Sequence, residues 1–398
     1  MKKRFLFVGA MAALALCAET AFAQTAADFT YELNVSNDGV IITGYKGTAT
    51  RVTIPADIEG FPVKEIGPYV FSAGRINPGD VINILNYDVK GTVTTGAYTV
   101  NLHKLRSMAS EDVTYKITSV VIPEGVTKIG DYAFAEVSVQ PIQRDEGTKV
   151  TVIHSLSSVT LPNTLTEIGE YAFTGCEKLA ALTLPPSLAA LGRDSFSGCK
   201  SLKTVTIPEG VTVLPRAAFY GCVALSSVTL PQSLTTIERS AFSTCSSLAA
   251  IVIPDGVTSI GRSPFIDSGL TTITWPAKIP VIPVLVFSGS KLKTIVIPEG
   301  VTDISQEAFR DCKDLTSVTL PSTIKNIDAW AFLNCSALTT ITIPDSVTAL
   351  TFYEDYGNES TVRWVAVTDT NNGAFMGCGF GLAVQAKLKK LGYTGAFK

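Results

Sequence analysis

The chain has 398 residues, 46% hydrophobic and 17% charged, with 32 Lys+Arg against 35 Asp+Glu and a formal net charge of −3. A mildly acidic chain without long basic runs carries no electrostatic footprint for nucleic acid or for anionic membranes. Length alone points to two or three domains, but the chain is periodic, and periodicity overrides length.

Lys2, Lys3 and Arg4 open the chain, an apolar stretch runs from Phe5 to Ala18, and Ala21-Phe22-Ala23 precedes Gln24. This pattern predicts a secretory signal peptide over residues 1–23 with a small-x-small cleavage site. A lipoprotein signal lipidating Cys17 is the less favoured alternative, because Leu16 is larger than the small residue such a site prefers. Without the leader, 29 Lys+Arg face 34 Asp+Glu, a net charge of −5. No later stretch approaches the roughly 18 uninterrupted apolar residues of a membrane span. The mature chain is therefore expected to be secreted or held at the cell surface.

Phe29, Tyr31, Leu33 and Val35 alternate, Asn37-Asp38-Gly39 is a turn signal, and Val40 to Thr43 is apolar again. A capping hairpin over residues 24–50 is predicted. Residues 51–380 then repeat. Prolines fall at Pro162, Pro185, Pro208, Pro231, Pro254, Pro276, Pro298, Pro321 and Pro344, in steps of 23 residues apart from two of 22, and Pro123 and Pro55 extend the series to eleven units. A phenylalanine normally follows each proline by eleven residues: Phe134, Phe173, Phe196, Phe219, Phe242, Phe265, Phe287, Phe309 and Phe332, with Phe71 and Phe375 displaced by insertions.

In the unit "SVTLPQSLTTIERSAFSTCSSL", Val228 and Leu230 flank Thr229, the period of a short strand with one buried face. Pro231 cannot donate to a ladder, so the strand ends there. Leu234, Ile237, Phe242 and Cys245 bring the chain back through a short helical or irregular segment. Each unit is one coil of a solenoid with a parallel sheet on one face. A coil burying about seven large side chains gains on the order of 10 to 20 kcal/mol, against roughly 25 to 45 kcal/mol for ordering its backbone and side chains. Stability must therefore reside in stacking, and eleven coils would make a rod about 50 Å long. Beyond the repeats, over 381–398, Val384, Leu388 and Leu391 sit at helical spacing with Gly392 as a stop, predicting a C-terminal capping helix.

The phrase "VTLPxSLTxIxxxAFxxCxxL" and the opening "DGVIITGYKGTATRVTIPADIEGFPVKEIG" from Asp38 to Gly67 resemble the bacterial cell-surface leucine-rich-repeat family called BspA-like. The likeness covers about Phe29 to Cys378. It implies a curved parallel-sheet leucine-rich-repeat solenoid, secretion, and a role in adhesion or in binding host or neighbouring-cell proteins. It says little about the ligand, because repeat folds host many partners.

Cys176, Cys199, Cys222, Cys245, Cys312, Cys335 and Cys378 each lie three residues after their unit's phenylalanine. Equal placement predicts one column with neighbours about a strand spacing apart, a distance that by itself excludes no disulfide. The odd count, the Gly74, Val137, Ser268 and Ser290 that replace cysteine elsewhere, and the common direction of stacked side chains favour buried free thiols over disulfides or redox chemistry. Zinc is least favoured, since no C-x-x-C pair exists and His103 and His154 lie in insertions. No nucleophile elbow, phosphate loop or calcium repeat appears, and no cofactor is implied. The expectation is a non-enzymatic protein.

The outward strand position reads Thr53, Val121, Thr160, Thr183, Thr206, Thr229, Val252, Thr274, Val296, Thr319 and Thr342, with a second threonine two residues earlier at Thr204, Thr272 and Thr340. β-branched residues suit an exposed pleated surface; a threonine array matching ice or a crystalline polysaccharide is the sharper and less favoured reading. Insertions near 75–115, 137–156 and 350–372 interrupt the beat, and solenoid insertions often map to the binding face. The first holds Tyr87, Tyr98 and Tyr115, the third Phe352, Tyr353, Tyr356 and Trp364. These aromatics are candidate recognition anchors, weighed evenly against simple packing onto the rod. The expected partner is an extracellular or host protein; the alternative is a carbohydrate-binding accessory module with Trp364 and the tyrosines stacking on sugar rings.

Overall fold

The computed structural model describes residues 24–72, 93–95, 98–100, 117–136, 155–347, 349–351, 374–379, 385–386 and 388–389. Residues 1–23, with Cys17, lie outside them.

Strand β1 (Phe29–Leu33) pairs antiparallel with β2 (Val40–Tyr45). A bulge between Thr30 and Tyr31 breaks the alternation. Phe29 is therefore buried, while Leu33 is 49% exposed and Val35, beyond the strand, fully exposed. β2 also pairs in parallel with Phe61–Ile66, which pairs in turn with Lys128–Ile129, so the hairpin is continuous with the sheet of the repeats.

The coils build two parallel ladders, the first of them interrupted. The first is built from three-residue strands such as Arg51–Thr53, Ser119–Val121 and Ser158–Thr160, then Thr204–Thr206 with Ser227–Thr229, and Thr294–Val296 with Ser317–Thr319. Their central valine or isoleucine points inward and the flanking residues outward. The residue before proline still donates to the next coil, as from Ile207 N–H to the Thr229 carbonyl at 2.9 Å and Ile297 N–H to that of Thr319 at 3.0 Å. Proline has no N–H, so the ladder stops there.

A second ladder occupies the return limb, made of bridges such as Val213–Leu214, Thr236–Ile237 and Ser259–Ile260, or Val281–Ile282, Asp303–Ile304 and Asn326–Asp328. Of the helical and irregular alternatives for this limb, the irregular one is realised: the described residues of the repeats contain no helix.

The phenylalanine turn comes next. From Phe71 to Phe375 every ring stacks on the ring of the next coil, with centroids 4.9 to 6.0 Å apart. The N–H of Phe173 donates to Ser195, that of Phe196 to Ala218 and that of Phe219 to Ala241, at 2.8 to 2.9 Å. Two residues before the rings from Phe71 to Phe332 the backbone is left-handed without glycine: Tyr69, Tyr132, Tyr171, Asp194, Ala217, Ser240, Ser263, Leu285, Glu307 and Trp330 all have φ between 52° and 60°. Such a residue costs on the order of 1–3 kcal/mol unless its surroundings over-determine it. Here they do, since its N–H is bonded into the next coil, as from Asp194 to Arg216 and Ala217 to Arg239, both at 2.9 Å. A second left-handed site follows the ring by two residues, where Gly175, Gly198, Gly221, Gly289 and Gly377 suit the conformation and Asp267, Asp311 and Asn334 tolerate it. Thr244, with φ 58°, is its one β-branched occupant among the described residues.

The cysteines close this turn. All seven are buried and free. The thiol of Cys176 donates to the Phe134 carbonyl at 3.2 Å, and Cys199, Cys222, Cys245, Cys312, Cys335 and Cys378 each reach the phenylalanine carbonyl of the coil before in the same way, at 3.0 to 3.3 Å. Within the uninterrupted run the two coils that carry Ser268 and Ser290 instead are the two in which Leu270 and Leu292 follow the ring by five residues rather than six. The cysteine accompanies the longer turn.

Polar side chains stitch the outside. Hydroxyls of Ser226, Thr235 and Thr316 donate to the Lys203, Thr212 and Lys293 carbonyls of the previous coil at 3.0 to 3.2 Å. The Glu209 and Glu299 carboxylates accept backbone N–H groups of Gln232, Ser233 and Ser322, which holds both below the usual carboxylate range. The second insertion is closed at its base by Glu136, whose buried Oε1 accepts N–H bonds from Ser155 and Leu156, both at 2.9 Å. In the first insertion Val93–Thr95 pairs antiparallel with Tyr98–Val100. Gln385, Ala386, Leu388 and Lys389 are helical, and Leu388 is fully buried.

Replacing Thr244 by glycine removes a β-branched side chain from a left-handed site, and a gain of about 1 kcal/mol is expected in urea unfolding; a lower midpoint would mean the hydroxyl stabilises that turn. The thiols set an alkaline limit. Burial pushes Cys176, Cys199, Cys222 and Cys335 well above the ordinary thiol range and Cys245 up to about 12. The unfolded chain releases these protons near pH 8.5 while the folded chain keeps them, so their contribution is whole below that pH and is lost as pH rises toward 12. Urea unfolding at pH 7.5 and pH 10 should show a smaller alkaline loss for the C222A/C245A variant than for the parent chain; equal losses would show that those thiols ionise within the fold.

Candidate binding face

The first ladder presents a broad outer surface. Thr160, Thr183, Thr206, Thr229, Thr274, Thr319 and Thr342 are all exposed. Thr183, Thr274 and Thr342 hold the same coil position where no strand is formed. Beside them runs a second exposed file, Ser158, Ala181, Thr204, Ser227, Ala250, Thr272, Thr294, Ser317 and Thr340. Neither file contains a charge over these coils. Val252 and Val296, 82% and 66% exposed, are its apolar points. The array is an uncharged surface of small side chains, held from beneath by ladder hydrogen bonds at Thr160, Thr206, Thr229, Val296 and Thr319.

The thiol column offers no chemistry at this surface. A buried, protonated thiol that donates to a carbonyl is neither a nucleophile nor a metal ligand. Among the described residues no group of three or more His, Cys, Asp or Glu converges on a point that would hold a metal ion, and no helix is long and apolar enough to cross a membrane.

A different surface lies just before the phenylalanine turn. Tyr69, Tyr132 and Tyr171, at the left-handed position, stack with centroids 5.1 and 4.7 Å apart. Burial raises the hydroxyls of Tyr132 and Tyr171 above the ordinary phenol range. The Arg193 guanidinium covers the Tyr171 ring at 5.4 Å and pairs with Glu170 at 2.9 Å. Asp194 beside it is pushed up to about 6 by burial, against the opposing pull of Arg216 and Arg193. Arg193 opens a file: Arg216, Arg239 and Arg262 occupy the same place, three residues before the ring, in the next three coils. The apolar pattern gives no hint of this file; the signal is the register of the arginines against Phe196, Phe219, Phe242 and Phe265.

Tyr87, Tyr115, Phe352, Tyr353, Tyr356 and Trp364 lie outside the described residues, as do His103 and His154. The backbone at Tyr98 belongs to the short antiparallel pair of the first insertion.

A leucine-rich repeat protein of T. pallidum is 27% identical, covering 61% of this chain and 88% of its own, with a TM-score of 0.44. A leucine rich cell surface protein from Faecalibacterium prausnitzii is 26% identical over 80% of this chain and 93% of its own, with a TM-score of 0.40. A leucine-rich repeat protein from Bacteroides ovatus is 21% identical, covers 93% of this chain and 98% of its own, and shares the fold with a TM-score of 0.53. No curated protein matches the chain in sequence. The family model described as BspA type leucine rich repeat region matches six copies, over residues 111–153, 152–271 and 258–381. That range holds most of both ladders, nearly all of the ring stack and every thiol of the column, and the chain belongs to the BspA-type leucine-rich-repeat family.

Proposed function

We propose that the chain is an exported, non-enzymatic binding protein that receives an extracellular protein on its sheet face, in adhesion or protein–protein recognition at the bacterial surface. The observation that carries this reading is the uncharged double file from Ser158 to Thr342, with Val252 and Val296 standing out of it. A surface already ordered by ladders loses little conformational freedom on binding, so contacts to it are not offset by the cost of fixing a loop. Small hydroxyl and methyl groups let a partner approach the sheet closely, and the absence of charge removes a desolvation penalty. The leader over residues 1–23 and the family membership support export.

Insertion aromatics such as Tyr353, Tyr356 and Trp364 would add anchors at the rim under this reading, or sugar-stacking platforms under the carbohydrate-binding alternative. Surface plasmon resonance of the purified chain against a panel of extracellular-matrix proteins, beside a neutral glycan array, separates the two. For a partner so found, the T229K/V252K variant should bind at least tenfold more weakly with an unchanged circular dichroism spectrum, because each lysine places a charge in the centre of the contact. Unchanged affinity would move the contact off this face, and unchanged affinity after deletion of residues 350–372 would exclude that loop.

A further inference from the structure

The geometry points to a second binding site along the arginine file, one that takes a linear anionic polysaccharide bearing sulfate or carboxylate groups. Four of the chain's eleven arginines, Arg193, Arg216, Arg239 and Arg262, stand at one coil position in four successive coils. Their backbones are laddered: the carbonyls of Arg193, Arg216, Arg239 and Arg262 accept N–H bonds from Tyr171, Asp194, Ala217 and Ser240 of the preceding coils at 2.9 to 3.0 Å. The Cα atoms are thereby fixed about one strand spacing, 4.8 Å, apart. Arg216, Arg239 and Arg262 are exposed, and Arg216 and Arg239 form no ion pair among the described residues.

Duplication of a repeat does not account for the file. The positions around it in the same coils have diverged, to Lys200, Val223, Ser246 and Gly269 after the ring and to Asp194, Ala217, Ser240 and Ser263 before it, while arginine stays. Packing does not account for it either, since the three later side chains are exposed. Closely spaced like charges repel, and Arg216 and Arg239, which form no ion pair among the described residues, gain nothing from standing side by side. The neighbouring carboxylates offset the file only in part, with Asp194 acting on Arg216 and Arg193. Glu170 is engaged by Arg193, the Glu238 carboxylate turns to the backbone N–H of Arg216 at 2.8 Å, and Asp194 is half-buried and raised to about 6 by burial.

Residue type and spacing select the ligand. The planar guanidinium fork matches sulfate and carboxylate oxygens in pairs, which an ammonium does not. One pyranose ring advances a polysaccharide by about one coil, so charges on every ring or on alternate rings stay in step with the arginines. An extended acidic peptide repeats its same-face side chains at about 6.6–6.8 Å and drifts out of register. The file lies beyond the second ladder, ten residues on from the threonine column in the coil of Thr229 and Arg239, so its failure would leave the sheet face untouched.

The test is isothermal titration of the full mature chain with size-defined heparin oligosaccharide, polygalacturonate and, as the competing class, poly-L-glutamate of matched charge. Binding to heparin oligosaccharide or polygalacturonate is expected, and comparison of the two arms tells sulfate from carboxylate. R216A/R239A should lose at least tenfold in affinity at 0.15 M salt, and the slope of log affinity against log salt should fall by about 1.5 to 2, by analogy with counterion release from nucleic acids. D194N, which removes a negative charge with a residue that tolerates the left-handed backbone, should bind about threefold more tightly. K291A/K293A, away from the file, should bind as the parent does. Absence of binding to both polysaccharides, equal binding of poly-L-glutamate, no gain in D194N, or equal loss in the K291A/K293A control would each overturn the proposal. Unfolding midpoints of every variant within a few degrees of the parent keep loss of fold out of the comparison.

Discussion

Backbone hydrogen bonding between successive phenylalanine turns is the constraint on which the rest of this structure depends. A single turn asks its chain for a left-handed residue before the ring and another after it, and neither is a conformation that tyrosine, leucine or tryptophan adopts willingly. The N–H groups at and around the ring are taken by the next coil, which makes the strained conformation the one that satisfies them. Strain within a coil is thus relieved by its neighbour. An isolated coil would hold neither the conformation nor the ring stack, so stability is a property of adjacent pairs.

The thiol column follows from the same turn. Each phenylalanine carbonyl accepts the N–H of the residue three positions later, as Phe196 accepts from Cys199 and Phe219 from Cys222, and it has a second lone pair facing the next coil. A buried acceptor left half-used gains from a weak donor of the right reach. Cysteine supplies one, with a sulfur large enough to fill the space and apolar enough to be buried there. Serine is found where the turn is one residue shorter: the Ser290 hydroxyl lies 3.4 Å from the Cys312 sulfur, while the Ser268 hydroxyl has no partner among the described residues. Seven sulfurs thus serve as hydrogen-bond donors and packing volume.

Much of this was legible from the residues because a solenoid converts sequence period directly into spatial files. Proline marked the end of the first ladder, since it lacks the N–H that Ile207 and Ile297 still supply. The rings and thiols fell at constant offsets from it. The second ladder was hidden, because a two-residue bridge such as Thr236–Ile237 shows one buried isoleucine and no alternation. The left-handed positions were hidden as well: where glycine is absent, nothing in Tyr171, Leu285 or Trp330 announces positive φ. The face is readable as a threonine column, but Thr294 is hidden by the valine that replaces threonine at 296 in its coil. The arginine file was visible in principle; it required charged residues to be aligned on the same beat as the apolar ones.

The files also explain why the outer surface looks as it does. In a stack of coils any side chain repeated at one position becomes a line of like groups about 5 Å apart. Inside, that arrangement is favourable: rings meet rings, and each sulfur meets the same carbonyl. Outside, hydroxyls tolerate it, since Ser226, Thr235 and Thr316 each find the carbonyl of the coil before. Charges do not, because two like charges 5 Å apart repel by about 1 kcal/mol even in water. Accordingly the position after proline varies, with Glu209 followed by Gln232 and Glu299 by Ser322, so that each carboxylate faces N–H groups instead of another carboxylate. Four arginines in register run against this rule at one edge, while the neutral threonine face obeys it at another, and the two surfaces therefore suit ligands of opposite character: one uncharged, the other linear and anionic.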